Sequence, residues 1–381
     1  MALSRKRILL TAAEVSGDLH AANLVRAIKK IDTDIEFVGI GGEKMRQAGV
    51  EVRATTVHMG TVGIWEGLRY YPSFLRIEKG IKRMLREEPP DLLVLINSRD
   101  LNLRIARLAK KRGIPIIYYI APPAWAWPDW ATKRTARNIT KVIAIFPFEA
   151  ALYRKVGADV TFVGHPLVGM ARPNLSKSEA YEKFGLSPSH PIIGLLPGSR
   201  AYEIDNLLPI MLRAAAKIKR SLKGVQFLLS VAALVFGEKI SRMVRRSGIE
   251  VKVTNNNIYD LMSVSDLIIT ASGTATLEAT CLATPMIVVY KTSLSTWILG
   301  HILVKFPYVS LPNILAGRRI VPELLQFRAT PNRLANLTLS LWGDCQKLEK
   351  MKIELNKVTR KLGEPGAIER AARVVVKSLP S

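Results

Sequence analysis

Short apolar runs recur along the chain, separated by longer stretches in which apolar residues return every three or four positions. RILLTAA (7–13), EFVGIGG (36–42), DLLVLI (91–96), IPIIYYI (114–120), KVIAIF (141–146) and VTFVG (160–164) form one series. PIIGLLP (191–197), VQFLLSVA (225–232), IEVKV (249–253), DLIITAS (266–272) and PMIVVY (285–290) form a second. Runs apolar at consecutive positions predict strands buried on both faces, and segments such as LHAANLVRAIKKI (19–31) predict the helices that cover them. The alternation predicts an α/β protein of two Rossmann-like domains, each built on a parallel sheet. If the strand exits of the two sheets face each other, a central cleft lies between them. The series part within 165–189, so the expected domains are 1–170 and 185–344. The closing stretch, 345–381, reads as two helices broken at Gly363-Glu364-Pro365-Gly366 and is expected to complete the first domain. No short-period repeat is present.

The length of 381 residues suits two domains, at roughly 150 residues each. Cys281 and Cys345 are the only cysteines and form no CxxC pair, which argues against a disulfide framework or a zinc site and fits a reducing compartment. The N-terminal apolar run meets Glu14 and Asp18 too early for a signal peptide and reads as a buried strand. The most apolar later stretch, WILGHILVKF (297–306), is short and holds His301 and Lys305, so no membrane span is expected and the chain reads as cytoplasmic. A net charge of +25 calls for anionic partners: nucleic acid, an anionic membrane face or a phosphorylated substrate, unless it reflects only evenly solvated lysines. The sequence carries no RNP, KH or zinc-finger pattern, which disfavours nucleic acid.

In open parallel sheets, ligands sit beyond the carboxyl ends of the strands. Those exits are polar here: Glu14-Val15-Ser16-Gly17-Asp18, Gly41-Gly42, Asn97-Ser98-Arg99-Asp100, Gly198-Ser199-Arg200 and Ser272-Gly273-Thr274. At GLLPGSRAYEI (194–204), Gly198 permits a tight turn, the next helix offers unpaired amides, Ser199 adds a donor and Arg200 a cation suited to a diphosphate. An ordinary strand–helix turn fits the same residues. SGTATLEATCLATP (272–285) adds a second such cradle, and Glu278 lies one turn past Thr274 on the same face, where a carboxylate accepts both hydroxyls of a ribose. An N-capping hydroxyl with an exposed glutamate is the plainer reading. Two cradles and one ribose acid in the same half favour a nucleotide-diphosphate sugar. There is no GxxxxGK[ST] element and no clean GxGxxG after a first strand, which disfavours an NTPase and an NAD enzyme.

The chain resembles the lipid-A-disaccharide synthases, inverting glycosyltransferases of GT-B architecture, along nearly its whole length. AEVSGD (13–18) stands for the family's GEASGD and YYIAPPAWAW (118–127) for YYVSPQVWAW. VGIGGEKMRQAG (38–49), VGIWEGL (62–68), FPFE (146–149), GHP (164–166), LLPGSRAYEI (195–204), SGTATLE (272–278), YVSLPNILAGR (308–318) and PELLQ (322–326) complete the set. The resemblance implies transfer of 2,3-diacylglucosamine from its UDP derivative to 2,3-diacylglucosamine 1-phosphate, giving a β-1,6 disaccharide and UDP, without cofactor or metal. Arg200, Ser272, Gly273, Thr274, Glu278, Asn313 and Gln326 fall on its nucleotide-side motifs, with Ser199 beside them. Glu14, Ser16 and Asp18 fall on its acceptor-side motif, and His165 in GHP touches substrate or fixes the interdomain link.

One stretch departs from the pattern. Where the family has approximately G-I-D-x-P-D-F-N, this chain has LINSRDLN (95–102), so Asn97 replaces the aspartate proposed as general base, while Asp100 and Asn102 keep their places. A neutral amide takes no proton from a sugar hydroxyl at ordinary pH. Asp100 or Glu14 then serves as base, or leaving-group stabilisation carries the rate, or the chain has changed its acceptor or binds without turnover. Another UDP-sugar enzyme on the same scaffold, a peptidoglycan N-acetylglucosaminyltransferase or a UDP-N-acetylglucosamine epimerase, is disfavoured by the first-half motifs. An acylated substrate calls for contact with an anionic membrane surface. GIWEGLRYYPSFLRIEKGIKRML (63–85), mixing aromatic and basic residues, is the candidate, although its apolar spacing also fits a core-facing helix; 297–306 is a weaker one. Oligomeric state is left open.

Overall fold

The computed structural model describes residues 5–55, 64–122, 129–255, 257–292 and 307–380, without the side chains of residues 64–75 and of Asp100. Two compact units result, Met1–Pro166 with Leu362–Ser381, and Leu167–Lys361. Each holds its own parallel sheet, as consecutive apolar runs require when helices cover both faces.

The first sheet contains β1 (Arg7–Ala12), β2 (Glu36–Gly41), β3 (Glu51–Thr55), β4 (Leu92–Ile96), β5 (Ile116–Tyr119), β6 (Lys141–Ala144) and β7 (Val160–Phe162) in the order β3-β2-β1-β4-β5-β6-β7. β1 pairs in register with β4, Ala12 beside Ile96, so both chains leave the sheet at the same level. From β1 the chain steps outward to β2 and β3, then returns across the sheet to β4. That reversal makes the β1/β4 junction the topological switch point, where a crevice opens beyond the strand ends.

The second sheet repeats the plan with β8 (Ile192–Leu196), β9 (Gln226–Val231), β10 (Lys252–Asn255), β11 (Leu267–Ala271), β12 (Met286–Tyr290) and β13 (Glu323–Leu325), ordered β10-β9-β8-β11-β12-β13. Its switch point is β8/β11, with Leu196 beside Thr270. β3 and β13 had no counterpart among the expected strands. β3 is an edge strand whose residues are exposed or half-buried, and β13 has only three residues, so neither shows an apolar run.

The closing helices divide between the units. Cys345–Lys361 belongs to the second: Met351 and Leu355 are buried in its core, and the Met286 amide donates to the Met351 sulfur at 3.2 Å. Only Ala367–Lys377 joins the first, placing Ala371, Ala372 and Val375 in its core, where it packs on the helix Val15–Lys29. The expectation that all of 345–381 completes the first domain is corrected to the part beyond Lys361. The amphipathic stripe looks alike in both helices, and the partner of each is a tertiary fact. The crossover is tight: the His165 amide donates to the Leu362 carbonyl at 2.8 Å, and a Cβ on Gly363, at φ 90°, would lie 3.1 Å from the Gly164 Cα. Only glycine fits that backbone-to-backbone approach.

Candidate functional site

At the β8/β11 switch point the second unit holds a cavity of about 250 Å³. Ser199, Arg200, Ser272, Gly273, Thr274 and Glu278 all line it, together with Glu203, Ser230 and Ile258. The two stretches picked out by sequence are therefore one site, formed because adjacent parallel strands release their chains side by side.

The first cradle differs from expectation. Glu203, three residues into the helix Ala201–Ser221, turns back so that its Oε2 accepts from the Ser199 and Arg200 amides at 2.9 and 3.2 Å. Those amides are capped, not open to a phosphate. Gly198 sits at φ 107° directly over this carboxylate, where a Cβ would come within 2.3 Å of Oε2. The Arg200-x-x-Glu203 spacing, a reaching-back acid at the third helical position, is the sequence signal for this cap. The Arg200 guanidinium stays 68% exposed, only 3.7 Å from Glu203 Oε1, and is the cation the cradle offers.

The second cradle is open. The helix Thr274–Cys281 has no side chain capping its start, and its Thr274 and Ala275 amides meet no acceptor among the described residues. Ser272 Oγ donates to the Val309 carbonyl at 3.0 Å, which orders the chain beside the cavity. Unpaired amides at the positive end of a helix dipole attract an anion. Glu278, one turn along, is half-buried; burial raises its pKa, and the Tyr259 hydroxyl, donating to Oε1 at 3.1 Å, opposes that rise. Tyr259 arrives from the helix Ile258–Val264 and carried no signal in the sequence.

Asn313 and Gln326 do not line the cavity. Asn313 is fully buried; its Nδ2 donates to the Val321 carbonyl and Glu323, and its Oδ1 accepts from the Ile320 and Val321 amides at 2.7 and 3.0 Å. The Gln326 amide group pairs with the backbone of Thr292 in both directions, at 2.9 and 3.0 Å. Every polar atom of these side chains makes a hydrogen bond that fastens the loops next to the site.

At the β1/β4 switch point of the first unit, Glu14 takes the N-cap place of the helix Val15–Lys29. Asn97 Nδ2 donates to Glu14 Oε2 at 3.3 Å and to Ser16 Oγ at 3.1 Å. Asn97 and Ser98 have left-handed backbones, φ 53° and 23°, and Ile120 at the next exit has φ 57°. The Tyr118 hydroxyl donates to the carbonyls of Asn97 and Ser98, both at 2.8 Å. Asn102 Nδ2 donates to Ile96 O and Asn97 O, and Thr11 Oγ1 donates to Asn102 Oδ1. Asp18, assigned to the acceptor side by sequence, is buried, and its carboxylate accepts from the amides of Gly42, Lys44 and Met45. It caps the short helix Glu43–Gln47, and with three amides already on its oxygens it is a structural group.

His165 lies at the crossover, its ring 4.9 Å from that of Phe146; burial, reinforced by nearby His20, pushes its pKa down to about 3. His20, which nothing in the sequence marks, is half-buried; desolvation pushes its pKa down to about 4, and its Nδ1 has no hydrogen-bond partner among the described residues. Asp100 is the second residue of the helix Arg99–Lys110, and its side chain lies outside the described residues. So do the aromatic residues of 63–75, most of WAWPDW (125–130) and all of 297–306. In the helix Ile64–Glu87, Ile81, Met84 and Leu85 are buried in the core, while Arg76, Lys79, Lys82, Arg83 and Arg86 are exposed. No helix among the described residues is long and apolar enough to cross a membrane. Nor is any group of three His, Cys, Asp or Glu placed to hold a metal among them.

Two parallel-sheet α/β units, the second with a cavity lined by an arginine, a helix N-terminus and an acid one helical turn along that helix, define a protein of the GT-B class. Solved structures share this fold: the UDP co-structure of S. aureus MnaA has a TM-score of 0.67 at 11% identity over 97% of this chain and 96% of its own. Acinetobacter baumannii MurG has a TM-score of 0.61 at 14% identity over 98% and 99%. A family model described as Lipid-A-disaccharide synthetase matches residues 8–377, and the lipid-A-disaccharide synthase of Geobacter metallireducens is 40% identical over 98% of this chain and 97% of its own. The chain belongs to the lipid-A-disaccharide synthase family, and it is a hexosyltransferase.

Proposed function

We propose that the chain transfers 2,3-diacylglucosamine from UDP-2,3-diacylglucosamine to 2,3-diacylglucosamine 1-phosphate (lipid X), forming the β-1,6 disaccharide of lipid A and releasing UDP. The second unit holds the donor. Arg200 and the Thr274 and Ala275 amides take the diphosphate, and Glu278 takes the ribose hydroxyls. Charge developing on the departing diphosphate meets a fixed cation and a helix N-terminus, which stabilise the transition state more than the ground state. The first unit receives the lipid acceptor near Glu14 and Ser16. The protein works at the inner face of the cytoplasmic membrane, held to its anionic surface by the basic face of the helix Ile64–Glu87.

The observation that carries this reading is the β8/β11 cavity, which gathers an exposed guanidinium, open helix amides and a half-buried acid. Calorimetry with UDP tests it. Arg200→Ala removes a charge-assisted contact of about 1.5–3 kcal/mol, a loss of about ten- to a hundredfold in affinity. UDP affinity unchanged in that variant removes the donor assignment.

A further inference from the structure

We propose that Glu14 accepts the proton of the attacking hydroxyl and that Asn97 is its positioning residue; this rests on the transferase reading above. In the second unit the switch point forms the nucleotide cavity. The equivalent place in the first unit is the β1/β4 exit, which sets Glu14, Ser16 and Asn97 together. An amide nitrogen carries two hydrogens. Asn97 Nδ2 directs one to Glu14 Oε2 at 3.3 Å and the other to Ser16 Oγ at 3.1 Å, so one side chain fixes both.

Considerable structure is devoted to that placement. Asn97 and the next residue are held in the left-handed region, a conformation that persists only where surrounding contacts over-determine it. Tyr118, Asn102 and Thr11 supply those contacts: five hydrogen bonds converge on the carbonyls of residues 96 to 98 or on the Asn102 side chain that grips them. Packing is close from the helix side as well, since a Cβ on Gly17 would lie 3.6 Å from that of Asn97. None of this machinery holds a proton acceptor at position 97. It presents an amide donor to Glu14.

The other ionisable groups at these exits are Asp18 and His20 on the first and Arg99 and Asp100 on the second. Asp18 is occupied by three amides, and His20 is half-buried, with burial lowering its pKa to about 4. In the step itself, the acceptor O–H proton passes to the Glu14 carboxylate. The freed oxygen pair forms the bond to the donor's anomeric carbon from the face opposite the diphosphate, and the bond from that carbon to the UDP oxygen breaks, its electrons leaving with UDP.

Turnover of both acylated substrates, with UDP affinity measured in parallel, tests the assignment. Glu14→Gln should lose about 10²- to 10⁴-fold in kcat with UDP affinity within threefold of wild type. Asn97→Asp should move the acidic limb of the kcat/KM profile to higher pH by about a unit or more, because two carboxylates at hydrogen-bond distance share a proton. A purely structural Asn97 would leave that limb in place. Turnover by Glu14→Gln within tenfold of wild type, an unmoved limb in Asn97→Asp, or loss on Asp100→Asn while Glu14→Gln stays active, each overturns the proposal. Absence of disaccharide with the wild-type enzyme overturns the transferase reading instead.

Discussion

Replacing Gly198 by alanine probes the way the nucleotide cavity is built. The backbone there has φ 107°, a region that costs a side-chain-bearing residue about 1–3 kcal/mol. The added methyl would lie 2.3 Å from Glu203 Oε2 and 2.8 Å from its Cβ, closer than any such contact survives. The carboxylate must therefore swing away from the Ser199 and Arg200 amides, which removes at least one hydrogen bond to a charged group, about 1.5–3 kcal/mol. The expected loss is about 2.5–6 kcal/mol in the stability of the second unit. Urea denaturation measures it, and amide exchange over Ala201–Ser221 shows whether the start of that helix frays first. Since both costs act through Glu203, Gly198→Ala and Glu203→Gln combined should fall short of their sum. A Gly198→Ala protein within about 0.5 kcal/mol of wild type, with unchanged exchange, refutes this account of the cap.

Three further outcomes are expected. Burial raises the Glu278 pKa, so UDP affinity should fall as pH drops through that raised value and the carboxylate takes up a proton; calorimetry on Glu278→Gln, which lacks the titration, should show only the pH dependence of UDP itself. Asn313→Ala removes one of several donors to Glu323 and leaves three backbone groups without their buried partner, and should cost about 1–3 kcal/mol or more by denaturation, while the folded protein keeps UDP affinity within threefold, because the side chain is not in the cavity. Sedimentation with anionic vesicles should show binding that falls with salt. Arg76→Glu and Lys79→Glu together should weaken it by about 2 kcal/mol or more, at about 1 kcal/mol per basic residue, and salt-insensitive failure of the wild type to bind removes the membrane assignment.

The two halves and most strands were legible because a strand covered on both faces must be apolar at consecutive positions, and β1, β4, β8, β11 and β12 are almost completely buried. Strand exits pointed to the cavity because sheet topology fixes where ligands sit. Partners were not legible. Asn313 and Asp18 stand in functional-looking motifs, yet their polar atoms are consumed by backbone groups from elsewhere in the chain. Glu203 differs, since the spacing of its cap is itself a sequence signature, whereas Tyr259, donating to the Glu278 side chain, has none. Left-handed backbone at Asn97, Ser98 and Ile120 has no compositional trace, since each is a residue type that ordinarily avoids or only tolerates it. The division of the closing helices depended on which core each apolar stripe met, and the stripes themselves do not say.

The transfer itself is tested most directly by the product formed when the enzyme meets UDP-2,3-diacylglucosamine and 2,3-diacylglucosamine 1-phosphate. A disaccharide joined through a β-1,6 linkage, with one UDP released for each, is the predicted result. UDP release without a disaccharide, or a product of α configuration, would contradict it.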